Sequence, residues 1–250
     1  MNENLRSWYD DNLARKRAGR VLMISIALTA ALYLIPFGFW VAYPLTLFST
    51  LVHELGHGLT ALATGGRFEQ LAVYANASGV AHSASGAGDV GQALVAAGGL
   101  VGPATLAALG FLASGRERGA RIFLAALAIG LAAALALFVR NPFGVVFTGT
   151  VVFALGWVVV RGTAHTRQIA AVFLSVQLAL SVFSRGDYLF TDTANTTAGI
   201  MPSDVALMAE AVGGPYWLWG LVCGAFSALV LWGGASLFLR RITPRPVTKA

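Results

Sequence analysis

An unbroken apolar run of 32 residues, from Val21 to Val52, most constrains how this chain can fold. It exceeds both the 7–15 residues of a signal-peptide core and the roughly 20 residues of one membrane-spanning helix. We therefore interpret it as a retained first span at 21–40 and the start of a second span at 44–64. Pro44 suits the first turn of that second helix, and Gly65-Gly66 supplies its end.

The composition extends this interpretation to the whole chain. Hydrophobic residues make up 57% of the sequence and charged residues 11%, compared with about 45–50% and about 25% in soluble domains. Too few charged side chains are present to cover a soluble globule of 250 residues, which excludes a soluble enzyme and a disordered chain. Further spans are predicted at 91–113, 122–139, 143–160, 169–184 and 216–239. The segment at 169–184 is short for a complete crossing, so the predicted total is six or seven spans.

Two stretches of the sequence are not spans. Residues 68–84 have β-branched and aromatic side chains on both sides of Asn76-Ala77-Ser78-Gly79, a pattern typical of a β-hairpin. Residues 185–214 form the longest polar segment, in which Pro202-Ser203-Asp204 indicates a helix start. The sequence therefore predicts an all-α polytopic membrane protein with a small β-hairpin after the second helix.

The net charge of +6 comes from 17 basic and 11 acidic residues, with many of the basic residues near the two ends. This distribution indicates contact with lipid headgroups and no nucleic-acid partner, because a nucleic-acid surface requires a basic stripe. The two sides of alternating spans collect eight and nine basic residues, so the positive-inside rule does not orient the chain. The predicted parts are a basic N-terminal segment at 1–20, one membrane-embedded domain at 21–239 and a basic tail at 240–250.

The second span carries an HExxH motif, His53-Glu54-Leu55-Gly56-His57. Residues four apart share one face of a helix, so both imidazoles can bind one metal ion. Zinc suits an imidazole-rich site, and Glu54 is next to it, where it can take a proton from a bound water. Three ionisable groups in a lipid-embedded helix are costly unless they bind something or face water. We therefore predict a Zn²⁺ site with His53 and His57 as ligands and Glu54 as the general base.

Catalytic zinc has three protein ligands, and the third is expected from the polar segment at 185–214. That segment falls on the side of the membrane where the second span ends. Asp204 follows a proline and opens a short helix predicted at 205–212, which makes it the favoured ligand. Asp187, at the end of the sixth span, is the alternative, and Asp192 is expected to be solvated in a loop.

Three other features have ordinary structural interpretations. His82 on the predicted hairpin is expected to be a solvated side chain rather than a metal or substrate contact. His165 is expected in a loop on the opposite side of the membrane. Gly98, Gly99 and Gly102 recur at a spacing typical of closely packed helices in lipid.

The HELGHG sequence at 53–58, followed by Gly65-Gly66-Arg67 and the hairpin, resembles the site-2 protease family of intramembrane zinc metalloproteases. It is most similar to the compact bacterial branch without a PDZ or CBS domain. The resemblance implies that two histidines bind zinc, that the glutamate activates water, and that a later aspartate is the third ligand. In the family this aspartate stands in a Leu-Asp-Gly motif, which the sequence lacks; the nearest pattern is Asn195…Pro202-Ser203-Asp204. The resemblance also implies a cytoplasmic N-terminus in a bacterial plasma membrane.

The implied activity is hydrolysis of peptide bonds in or near transmembrane segments of membrane-protein substrates, including single-span proteins. A substrate helix must unwind first, and an edge strand of the hairpin at 68–84 can then hold it by strand addition. Proline at Val73 or Val80 would test this role. Two alternatives stay open: a non-catalytic protein that binds metal or a partner helix on the same scaffold, and a metal transporter. Retention of Glu54 favours the enzyme, and the confinement of ionisable residues to one span disfavours the transporter.

Overall fold

The structure, a computed structural model, describes residues 13, 16, 19–29, 31, 38–184, 189–196 and 199–242. Helices dominate this part of the chain, and two short hairpins interrupt them. The elements are α1 (Gly19–Thr29), α2 (Gly38–Ala63), β1 (Arg67–Val73), β2 (Gly79–Ala84), α3 (Gly88–Ser114), α4 (Glu117–Leu137), α5 (Pro142–Arg161), α6 (Ala164–Ser184), β3 (Thr193–Thr196), β4 (Gly199–Pro202), α7 (Asp204–Val212) and α8 (Tyr216–Ile242).

Five helices, α3, α4, α5, α6 and α8, are long and apolar enough to cross a membrane. The apolar helix α1 is shorter, whereas α2 has 26 residues but is less apolar because it carries the HExxH motif. The central helix is α3, which packs against α2, α6, α7 and α8. The prediction of an all-α polytopic membrane protein with a small hairpin is confirmed.

Three predicted helix starts are wrong. Helix α4 begins at Glu117, five residues before the predicted 122. Helix α2 begins at Gly38, so Pro44 lies inside it rather than in its first turn. A proline removes one backbone hydrogen bond, a loss that helices in a membrane tolerate. Helix α6 begins at Ala164 and has 21 residues, enough for a complete crossing, and His165 lies in its first turn rather than in a loop. Thr163 Oγ1 accepts a hydrogen bond from the Thr166 N–H at 3.1 Å and so caps the helix ahead of its first apolar residues.

The predicted hairpin is present, and it folds back along α2. Its strands pair antiparallel, and Ala77 in the turn has a positive φ of 63°. Tyr43 on α2 donates its hydroxyl to the Ala75 carbonyl at 2.5 Å, and Thr50 donates to the Ala77 carbonyl at 2.9 Å. Thr50 is 13 residues before Ala63, so the hairpin tip lies about 20 Å back along α2 from its C-terminal end.

The connection between α4 and α5 covers the outer edge of β1. The Leu71 N–H donates to the Phe138 carbonyl at 2.8 Å, and the Arg140 N–H donates to the Leu71 carbonyl at 3.1 Å. The side-chain amide of Asn141 accepts from the Val73 N–H at 3.1 Å and donates to the Val73 carbonyl at 2.6 Å. β1 is therefore covered on both edges. In the described part of the chain, β2 pairs only with β1, so its other edge is open.

The hydrogen-bonding pattern between β1 and β2 determines which residues of β2 direct their backbone N–H and C=O groups to that open edge. Leu71 and Val73 direct their N–H and C=O groups away from β2, so their pairs with Ala81 and Gly79 are the non-hydrogen-bonded kind. The Tyr74 N–H, one residue on, donates back across the hairpin, in keeping with this alternation. Gly79 and Ala81 therefore direct their own N–H and C=O groups outward, ready to pair with another strand.

The described part of the polar segment after α6 contains strands that the sequence did not predict. β3 and β4 form a second antiparallel hairpin directly after Asp192, where a loop was expected. The predicted helix start at Pro202-Ser203-Asp204 is confirmed, because Ser203 caps α7 and Asp204 is its first residue. This hairpin and α7 carry the third predicted ligand towards α2.

Candidate metal centre

Helices α2 and α7 bring His53, His57 and Asp204 together. His53 Nε2 lies 3.1 Å from His57 Nε2 and 3.1 Å from Asp204 Oδ2, and His57 Nε2 lies 3.4 Å from Asp204 Oδ1. Ligand atoms around tetrahedral zinc, with bonds of about 2.0–2.1 Å, stand about 3.3 Å apart. Asp204 Oδ2 is also buried without a hydrogen-bond donor. The spacing, the donor types and this orphaned oxygen all fit a zinc ion.

His57 is oriented by a backbone carbonyl of α3. Its Nδ1 lies 2.8 Å from the Val95 oxygen, a contact that requires a proton on Nδ1. The lone pair of Nε2 is then free to bind a metal. The carbonyl therefore selects the tautomer that a metal ligand needs.

Glycines allow α3 to approach α2 closely at this level. A Cβ at Gly56 would overlap with the Gly98 carbonyl, and a Cβ at Gly99 would overlap with the His57 imidazole. The sequence predicted close packing at Gly98 and Gly99, but it did not indicate that Gly99 makes room for the imidazole of His57. Any side chain at Gly99 would displace the ring of His57.

Asp204 is held by the segment that precedes it. The Ser203 hydroxyl accepts from the Ala206 N–H at 3.2 Å and donates to the Thr191 carbonyl at 2.6 Å, while the Ser203 N–H donates to the Asp192 carbonyl at 3.0 Å. Burial raises the pKa of the Asp204 carboxyl, but the neighbouring imidazoles outweigh burial and bring that pKa below its ordinary range. Asp204 is thus a fixed carboxylate, the form that binds metal.

Glu54 lies beside the three candidate ligands and is 7% exposed. A Cβ at Gly79 would stand 2.6 Å from Glu54 Cγ and 2.7 Å from Glu54 Oε1. The first residue of β2 is therefore in contact with the proposed base. The open edge of the hairpin therefore begins next to Glu54.

A cavity of about 200 Å³ extends from His53 and Glu54. The hairpin turn forms one wall, and α2, α3, α6 and α8 supply the others. It adjoins Gly79, so a strand on the open edge of β2 would pass beside it. The site therefore has a set of metal donors, a buried carboxylate, a strand edge and a side cavity.

The sequence matches the family model described as Peptidase M50B-like over residues 23–234. The chain belongs to this family. The match confirms the resemblance to site-2 proteases and shows an intramembrane metalloprotease-type scaffold. M50B-like proteins are typically zinc-dependent, in keeping with the donor set of His53, His57 and Asp204. Comparisons with curated proteins and with solved structures give no match to this chain.

The remaining predicted residues of this M50B-like protein lie elsewhere. Asp187, the alternative third ligand, is outside the described residues. Asp192 is exposed, as predicted, although its carbonyl helps to hold Ser203. His82 is exposed on β2 and His165 is exposed on α6, so the structure brings neither into the cluster.

Sequence reasoning missed two M50B-like site features that depend on distant contacts. The sequence predicted no role for the side chain of Asn141, whereas this side chain closes the edge of β1. Gly79 was interpreted as a turn residue, whereas it makes room for Glu54. The glycine at the start of a strand was a weak signal of close approach, and nothing in the sequence pointed to the partner of Asn141.

Proposed function

We propose that this M50B-like protein is an intramembrane zinc endopeptidase that cleaves membrane proteins in or near their transmembrane segments. The convergence of His53, His57 and Asp204 beside the buried carboxylate of Glu54 carries this proposal. Zinc held by these three residues would supply Lewis acidity to the scissile carbonyl and to the attacking water.

Glu54 is the general base of the proposed reaction. Its carboxylate takes a proton from the attacking water and later delivers it to the leaving amine. Burial excludes bulk water from the carboxylate, which strengthens its interaction with charges that develop nearby. Val95 and Ser203 have supporting roles, since they orient His57 and Asp204.

The open edge of β2 is the proposed substrate-binding strand. An unwound substrate segment has unpaired backbone groups, and Gly79 and Ala81 offer it N–H and C=O partners by strand addition. Pairing at Gly79 brings the substrate backbone next to Glu54. Proline at Val73 or Val80 does not test this role, because neither backbone N–H faces the open edge. The Val73 N–H donates to the Asn141 side chain, and the Val80 N–H faces β1. Ala81 is the informative position.

The experiment replaces Glu54 with glutamine and follows a co-expressed single-span membrane protein. We expect bound zinc to be retained and processing to fall at least 100-fold, since general-base catalysis contributes about 10²–10⁴-fold. Glu69→Gln, at an exposed position on β1, is the matched control and should cleave normally. If Glu54→Gln retains zinc and processes substrate at the wild-type rate, the protease proposal is wrong. The non-catalytic alternative, a scaffold that binds metal or a partner helix, would then stand.

The proposal includes an N-terminus in the cytoplasm of a bacterial cell, which the family resemblance implies. Asn2→Cys in a Cys223→Ser background tests it with a membrane-impermeant maleimide. We expect labelling only after the cells are lysed. Labelling of intact cells would reverse the orientation and leave the chemistry of the site unchanged.

A further inference from the structure

The cavity beside Glu54 is unusually polar for a space between membrane-embedded helices. Eight of its 14 lining residues are polar or ionisable, including His53 and Glu54. A larger groove of about 670 Å³ between α2, α3 and α4 has only two such residues, Thr60 and Thr105, among 20. The polarity is therefore specific to the cavity that adjoins the proposed catalytic centre.

Most hydroxyls that line this cavity already have protein partners. Thr50 donates to the Ala77 carbonyl at 2.9 Å, and Ser181 donates to the Leu178 carbonyl at 2.7 Å. Ser78 contacts the Asn76 side chain at 2.7 Å. These groups shape the walls and hold the hairpin turn in place.

Ser49 and Ser227 differ from these residues. The two residues are 5% and 2% exposed overall, and within the described chain neither hydroxyl has a hydrogen-bond partner. Neither oxygen is among the completely enclosed unpaired atoms of the described residues, so both are accessible from the cavity. Both residues line the cavity, so a molecule inside it can supply the missing bonds.

Ser49 lies one helical turn from His53, and Ser227 is connected to the site through a contact between α8 and α7. Ser49 precedes His53 by four residues on α2 and shares its face. Ser227 follows Cys223 by four residues on α8, and the Cys223 sulfur contacts Met208 of α7 at 3.9 Å. The cavity thus has an unsatisfied hydroxyl on each of two helices that border the site.

We propose that this cavity is a side-chain subsite for a small polar residue of the substrate, with Ser49 and Ser227 as its specificity-determining residues. The proposal rests on the proposed protease function. A volume of about 200 Å³ is below the roughly 300–1,000 Å³ of sites for whole small molecules, so it suits one side chain. A strand paired with Gly79 passes the mouth of the cavity and directs alternate side chains to the same face. A hydroxyl or amide on one of those side chains satisfies the serines, whereas an apolar side chain leaves them unpaired.

The test uses zinc-loaded full-length protein in detergent and a series of peptidyl hydroxamates, which bind zinc directly. The peptides carry Thr or its isostere Val, and separately Phe, either next to the hydroxamate or at the following residue. We expect the wild type to bind the Thr peptide roughly tenfold more tightly than the Val peptide at one of these positions, as one net hydrogen bond allows. The Phe peptide should bind most weakly there.

Ser49→Ala and Ser227→Ala, on different helices, should each reduce the Thr-over-Val preference to about twofold or less without loss of zinc. Ser114→Ala removes a buried hydroxyl that bonds Gly110 of its own helix and should retain the wild-type preference. Equal zinc-dependent binding of Thr and Val peptides at both positions would overturn the subsite alone and leave a water-filled cavity. Failure of every hydroxamate to bind the zinc-loaded protein would overturn the protease function as well.

Discussion

Gly79 lies against Glu54, and this contact joins the open edge of the hairpin, where we propose that substrate binds, to the proposed base. A Cβ at Gly79 would stand 2.7 Å from Glu54 Oε1, closer than ordinary packing allows. A side chain at this position must therefore move the carboxylate.

We expect Gly79→Ala to lower the cleavage rate at least tenfold with zinc content unchanged, because a small misplacement of a base is costly to catalysis. Cleavage of a single-span substrate and metal analysis of the purified protein measure the two effects. Gly130→Ala is the control, since a Cβ there meets nothing within 4 Å. Wild-type cleavage by Gly79→Ala would mean that Glu54 tolerates displacement or has no part in the reaction.

Proline substitutions distinguish the two edges of β2. Ala81→Pro removes an N–H that faces the open edge, so we expect substrate cleavage to be lost while the folded protein keeps its zinc. Val80→Pro removes an N–H that faces β1, so we expect a lower thermal unfolding temperature as well. Normal cleavage by Ala81→Pro would rule out strand addition at this edge.

The cap of α7 should control the affinity for zinc. Loss of an N-cap side chain costs about 0.5–2 kcal/mol, and loss of a group that supports a ligand weakens metal binding by roughly 10–100-fold. We expect Ser203→Ala to lower zinc affinity about tenfold, measured by competition with a chelator. Ser203→Thr, which keeps the hydroxyl, should restore most of it. If Ser203→Ala binds zinc as tightly as wild type, Asp204 does not depend on its cap.

Asn141 should stabilise the hairpin rather than act in the reaction. Asn141→Ala leaves the N–H and C=O of Val73 without partners, and we expect it to lower the free energy of unfolding by about 1–3 kcal/mol. Thermal unfolding in detergent measures this loss. Gln70→Ala, at an exposed position on β1, should have little effect. Equal stability of the two variants would show that α4 and α5 hold β1 without the amide.

Features encoded within a few residues could be predicted from the sequence. His53 and His57 share a face because four residues make about one turn, and Asp204 opens a helix because Ser203 can cap it. The start of α2 was predicted wrongly, because Pro44 is typical of a first helical turn but lies inside a continuous helix that begins at Gly38.

Features that depend on distant contacts could not be predicted. The Asn141 side chain bonds Val73 across 68 residues, and no local pattern reports such a pair. The contact between Gly79 and Glu54 likewise depends on how the hairpin lies along α2. Chain topology rather than local propensity determines both.

The position of Asp204 in α7 also affects how the protein is made. Asp204 follows His57 by 147 residues, so ribosomes that add about 5–20 residues per second need roughly 7–30 s to reach it. During this interval the nascent chain has two imidazoles and a base but only part of the donor set. A nascent chain that has not yet reached Asp204 therefore lacks one of the three candidate donors, and the proposed activity requires α7 to be made and packed against α2.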